Sequence, residues 1–159
     1  MTVAPETTAT AQTREVMQPV PMQAIALRLT PGQDLKQELD ALIHRHQFSA
    51  ACVLTCVGSL TQATLRLANQ PEGTTYTGHF EIVSLTGVMG MQGAHYHVAI
   101  ADPEGKTIGG HLLEGCLIYT TAEIVLGIFP NLTFDRQPCT QSGYPELIVR
   151  NEPFSERNS

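Results

Sequence analysis

The spacing of apolar and polar positions changes several times along the chain, and each change marks an element. Residues 1–21 are rich in Thr, Ala, Pro and Gln, have no hydrophobic period and close on Pro19 and Pro21, which predicts a flexible N-terminal tail. Met22 to Leu29 reads as a first strand, and Thr30-Pro31-Gly32-Gln33 as a turn. Asp34 is placed to cap a helix running to about His46, with Leu35, Leu39, Leu42 and Ile43 as its apolar stripe. His44 and His46 fall at the end of that helix and read as exposed terminal histidines.

From Ser49 to Val57 nearly every residue is apolar, the pattern of a strand covered on both sides, with Gly58-Ser59 as its break. Gln62 to Ala68 resumes a strand, Asn69 to Gly73 turns, and Thr75 to Val88 forms a long strand. Met89, Met91 and the glycines beside them read as a loose link. Gly93 to Leu112 follows as strand, Asp-Pro-Glu-Gly turn and short returning strand. Cys116 to Phe129 is a β stretch bent near Thr120, Leu132 to Asp135 another, and Tyr144 to Arg150 closes the fold after a loop. The expected class is α+β: a mostly antiparallel sheet of about seven or eight strands with one main helix. Residues 22–150 form the expected domain, and residues 151–159 a frayed polar tail.

Composition narrows what such a domain can do. With 159 residues, 42% hydrophobic and only 15% charged, the chain can bury a substantial core. Nine Lys and Arg against fifteen Asp and Glu give a net charge of −6, without the basic footprint that nucleic acid demands. No secretory signal and no membrane-spanning apolar run is visible, so the expectation is a cytoplasmic protein whose four cysteines stay reduced. Cys52 and Cys56 would stand roughly 13 Å apart on a strand at ~3.3 Å per residue, too far to share an ion. They read as buried thiols.

Candidate chemistry concentrates in Gly93–Leu112, which holds three of the six histidines. His95 and His97 leave the same face of their strand because side chains alternate with a period of two. The turn can bring His111 back beside them. Three convergent imidazoles suit a divalent metal, zinc above all, and leave a fourth position for water. Glu81, His79 and Glu114 are candidate fourth ligands or proton carriers, with Glu81 and Glu114 the candidate catalytic groups. The plainer alternative keeps these histidines hydrogen-bonded on an exposed or interface strand, without metal. Gly109-Gly110 reads as a close backbone approach or a bulge aiming His111. Arg28 and Arg66 read as exposed-face residues, with substrate anchoring as the alternative.

Several segments in order resemble one family. Gly78 to Gly87 (Gly-His-Phe-Glu-Ile-Val-Ser-Leu-Thr-Gly) is similar to the Gly-Arg-Phe-Glu-Ile-Leu-Ser-Leu signature of the plants-and-prokaryotes conserved domain (PPC, or DUF296). His95 to Asp102 is similar to its His-Leu-His-Val-Ser-Leu-Ala-Asp segment, and Gly109-Gly110-His111-Leu112 to its Gly-Gly-His-Leu. Looser matches lie at residues 57–66 and 140–147. The resemblance implies a homotrimer of stand-alone type, with unsettled activity. In plants the domain follows AT-hook DNA-binding motifs, and here no Arg-Gly-Arg-Pro element is found. His79 also replaces the arginine of the plant signature. More distantly, the fold resembles acetolactate decarboxylase, whose zinc is held by a His-x-His pair and a later histidine, and His95, His97 and His111 echo that set. These resemblances imply a metal site that binds or acts on a small carbonyl or carboxylate compound. A DNA-associated regulator and a non-catalytic oligomerisation module are the alternatives.

Overall fold

A computed structural model describes residues 19–151, so the flexible N-terminal tail and the frayed C-terminal tail expected from the sequence lie, over residues 1–18 and 152–159, outside the described residues. The elements are β1 (Gln23–Leu29), α1 (Leu35–His46), β2 (Ala51–Arg66), β3 (Thr74–Gly90), β4 (Gly93–Ala101), β5 (Thr107–Leu112), β6 (Leu117–Ile128), β7 (Leu132–Pro138) and β8 (Pro145–Asn151). The fold is α+β, with one main helix and eight strands among the described residues, all paired antiparallel.

Six strands form one sheet in the order β1-β6-β2-β3-β4-β5. A further bridge pairs Leu65 with Leu112 and Arg66 with His111, so the end of β2 returns against β5. Strands β2 to β5 therefore close on themselves at that end. The remaining pair, β7 and β8, forms a separate two-stranded sheet.

The helix forms where the capping chemistry places it. The Asp34 carboxylate accepts from the backbone N–H groups of Lys36 (3.0 Å) and Gln37 (3.1 Å), satisfying donors that the first turn leaves open. The same carboxylate accepts from Gly115 N–H at 2.5 Å, so the cap also ties α1 to the start of β6. Leu35, Leu39 and Ile43 are buried against the sheet, joining Leu60, Leu65, Met89, Ile100, Ile118, Ile124 and Leu126 in the main core. The helix ends on Gln47 in the left-handed conformation, and His44 and His46 beyond the last buried turn are exposed, as expected.

Three expectations are corrected. The apolar run of residues 49–57 is not covered on both sides: Ala51 and Cys56 are buried, but Leu54 and Val57 are 46% and 56% exposed. Gly58-Ser59 does not end the strand either. β2 runs through for sixteen residues and accommodates the glycine as a register irregularity against β6. A Cβ at Gly58 would stand 2.1 Å from the Thr121 carbonyl oxygen, so glycine is there for close approach rather than termination. The link at Met89–Met91 is tight instead of loose. Gly90 pairs directly with Gly93, and Met89 is buried.

All four cysteines are free, with Cys56 and Cys116 buried and Cys52 and Cys139 half-buried. Burial pushes the Cys56 and Cys116 thiols up to about 11. No helix among the described residues is long and apolar enough to cross a membrane.

Candidate metal centre

The site is built on the β4–β5 hairpin. Its turn is locked by Asp102, whose side chain accepts from Glu104 N–H (3.1 Å) and Lys106 N–H (2.8 Å) and whose carbonyl accepts from Gly105 N–H (2.9 Å). With the turn set, the register is unbroken from Ala101–Thr107 to His97–His111. His97 and His111 are thus directly opposed, and His95 stands two residues along β4 on the same face. Between them Tyr96 and Val98 point inward and are buried.

Tyr96 pins this stretch from behind. Its hydroxyl donates to the Asp40 carboxylate of α1 at 3.0 Å, and Asp40 is also ion-paired with Lys36. Burial, then the adjacent Asp40 charge, raises the Tyr96 phenol far above its ordinary range, so it stays a neutral donor. The glycine pair at the return is explained by proximity. A Cβ on Gly110 would lie 2.7 Å from the Arg66 carbonyl oxygen, and one on Gly109 2.9 Å from the Val98 carbonyl oxygen. Only glycine lets β5 seat between β4 and the end of β2, which sets the depth of His111.

The three imidazoles converge on one point. His95 Nε2 lies 3.1 Å from His97 Nε2 and 3.1 Å from His111 Nδ1, and His97 Nε2 lies 3.1 Å from His111 Nδ1. Mutual hydrogen bonding does not account for such a triangle, because each neutral ring nitrogen either carries one outward hydrogen or accepts along one outward lone pair. A tetrahedral zinc ion with bonds of about 2.0–2.1 Å would set its nitrogen ligands about 3.3–3.4 Å apart. The observed triangle falls within a few tenths of an ångström of that spacing, so the donor set fits a zinc-like ion. Nitrogen donors and three-point geometry both suit a borderline metal with an open position, rather than calcium or magnesium.

Electrostatics favour the ligating form. Desolvation, then the neighbouring His97 and Arg136, lowers the His95 pKa, partly offset by Glu146. Desolvation, then Arg66, lowers that of His111. Both rings are therefore held towards the neutral state that binds metal.

Beside His95 and His111 opens a cavity of about 910 Å³. Arg66 enters it from the end of β2, Lys36 from α1, and Arg136, Tyr144 and Glu146 from the β7–β8 hairpin. Arg66 is half-buried here and is not a plain exposed-face residue; Arg28 is exposed and donates to Thr121 at 2.9 Å. Glu81 and Glu114 are not on the cavity wall. Glu81 is exposed on β3 opposite Ala101, four residues along β4 from His97, and Glu114 accepts from Gln37 at 3.1 Å. His79 is likewise elsewhere, its ring against Tyr119 at 4.2 Å. Arg136 and Glu146 were missed in the sequence, where nothing in their local pattern distinguishes them from other polar strand residues.

Comparison with known proteins agrees with this architecture. The profile of the Plants and Prokaryotes Conserved (PCC) domain matches residues 17–130. A Bifunctional protein GlmU of Synechococcus is 48% identical over 139 residues, covering 87% of this chain but 22% of that protein. The chain thus spans under a quarter of that relative's length. AT-hook motif nuclear-localized protein 20 of Arabidopsis thaliana is 30% identical over 128 residues, 76% of this chain and 44% of the relative. Among solved structures, a hypothetical protein of Salmonella superposes with a TM-score of 0.82 at 44% identity, covering 84% of this chain and 97% of that one. A metal-containing protein of Archaeoglobus fulgidus shares the fold, with a TM-score of 0.69 at 22% identity over 83% of this chain and 99% of that one.

Proposed function

For a chain that belongs to the Plants and Prokaryotes Conserved domain family, we propose a metal-dependent small-molecule site in which His95, His97 and His111 hold one zinc ion. The observation that carries this reading is the triangle of ring nitrogens at 3.1 Å, two from one strand and one from its partner. Bound there, zinc would act as a Lewis acid towards a carbonyl or carboxylate oxygen, or lower the pKa of its own water. The chain's contribution is orientation. Tyr96 and Asp40 hold β4 from behind, Gly110 sets His111, and the cavity beside them has the volume of a small-molecule site.

The same reading includes self-association as a homotrimer. Leu54, Val57, Val83 and Tyr119 are exposed on β2, β3 and β6, three neighbouring strands, and a subunit partner would remove them from water. Sedimentation equilibrium should report three times the chain mass, and a monomer would exclude it.

The metal is tested by elemental analysis of protein purified without an affinity tag. One equivalent of zinc per chain is expected, falling below a tenth of an equivalent in His97→Ala. Absence of stoichiometric metal in the unaltered protein overturns the reading.

A DNA-associated role is the second reading, drawn from the name of the Arabidopsis relative. The net charge of −6 opposes it. Binding of duplex DNA at ~50 mM salt, weakening steeply as salt rises, would be required to revive it.

A further inference from the structure

The cavity beside the histidines has a charge pattern that the metal alone does not explain. Five arginines lie in the described residues: Arg28, Arg45, Arg66, Arg136 and Arg150. Arg28 donates to Thr121, Arg150 is ion-paired with Asp135, and both are exposed, as is Arg45 at the end of α1. Arg66 and Arg136 are the two that are half-buried, and among the described residues neither guanidinium has a hydrogen-bond or ion-pair partner. Both line the same cavity, one from each sheet. Lys36, on the same wall, is already neutralised by Asp40 at 2.6 Å. Among the described residues Glu146 is the sole carboxylate on that wall.

A guanidinium that gives up part of its hydration without a partner is costly, and two converging on one space are costlier still. A bound anion relieves both. The flat fork of arginine matches carboxylate and phosphate oxygens with paired hydrogen bonds, which a lysine does not reproduce.

We propose that Arg66 and Arg136 form an anion clamp. On this assignment the ligand is a small molecule with two ends: a carboxylate or phosphate group gripped by the arginines, and a carbonyl or hydroxyl oxygen facing the histidine cluster. Arg66 is well placed for this, because its backbone is paired directly with His111. The anionic end is therefore held one strand away from the metal position. The wall facing Arg66 is the β7–β8 hairpin, which supplies Arg136. The metal-facing end of this assignment rests on the three-histidine reading; the clamp itself does not.

Calorimetric titration of the zinc-loaded protein with succinate, inorganic phosphate and neutral succinamide tests it. At least one of the two anions should bind and succinamide should not. The anion that binds tells whether carboxylate or phosphate is the native group. Arg66→Met and Arg136→Met, which keep the apolar stems, should each weaken that anion at least tenfold while retaining one equivalent of zinc. Arg66→Lys should recover only part of the loss. Because Arg136 lies on the separate two-stranded sheet, its variant remains informative even where Arg66→Met folds poorly. Equal binding of the neutral diamide, or unchanged anion binding in both variants with zinc intact, overturns the clamp. Should the unaltered protein hold no zinc, the same anion titrations on the metal-free chain decide the clamp independently.

Discussion

The β4–β5 and β7–β8 hairpins both face the cavity, but they are held in different ways. The first is part of the six-stranded sheet, with Tyr96, Val98, Ile100 and Leu112 buried beneath it and the end of β2 paired to its outer strand. The second is a ribbon of its own whose buried residues are Leu132 and Phe134, packed in a small cluster with Ala50. A two-stranded ribbon is marginal without such an anchor. Under the proposed function this division suits two tasks: metal ligands need positions fixed to a few tenths of an ångström, whereas a wall that admits a ligand benefits from lower local stability.

The strongest way to break the contrast is to disturb the rigid hairpin. Gly110→Ala drives a methyl group into the Arg66 carbonyl, so it should cost on the order of 3 kcal/mol and abolish stoichiometric metal. Urea unfolding with elemental analysis checks both. Retention of metal at full stability would show that β5 has slack there.

Phe134→Ala sharpens the contrast from the other side. Loss of the ring should destabilise the β7–β8 anchor by about 3 kcal/mol. Hydrogen exchange should quicken across residues 132–151 and leave β4 and β5 protected, with the metal retained. If β4 loosens equally, the two hairpins form one cooperative unit.

Tyr96→Phe removes the hydroxyl that reaches Asp40. A loss of about 1 kcal/mol is expected, because Asp40 keeps Lys36 as a partner. Zinc should still bind, with a faster off-rate measured by chelator competition.

The smallest effect is in the thiols. Cys116, just before β6, is pushed up to about 11 by burial, while backbone and side-chain hydrogen bonds from Ser142 and Gln141 lower Cys139 in the β7–β8 loop. Near pH 8 an alkylating reagent should therefore label Cys139 first, as peptide mapping would show. The buried thiols carry a stability signature as well. Between the ordinary value of 9.0 and about 11, the folded chain holds protons at Cys56 and Cys116 that the unfolded chain has released. Stability must then fall as pH rises through that window, and Cys56→Ala should flatten the decline.

Much of this architecture was legible in the chain. Asp34 before Leu35, Leu39 and Ile43 is a capped amphipathic helix on any reading. The parity of His95 and His97 follows from the strand repeat alone, and Asp-Pro-Glu-Gly announces the turn that returns His111. The extent of β2 was not legible, because glycine signals both a strand break and a close approach, and only the neighbouring Thr121 carbonyl decides between them. Nor was the exposure of Leu54 and Val57, since an apolar run does not reveal which of its faces is covered.

The histidine triplet is a local pattern in the sequence and a closed triangle of ring nitrogens in the structure. Local sequence determined it, because its three members lie within seventeen residues joined by one turn, where strand period and turn chemistry leave little freedom. The cavity beside it belongs to tertiary structure. Arg66, Arg136 and Glu146 come from three strands and two sheets, and their convergence depends on how β5 closes against β2 and where the last hairpin docks. Side-chain direction can be read from a repeat along one strand. The meeting of distant strands is fixed only by packing.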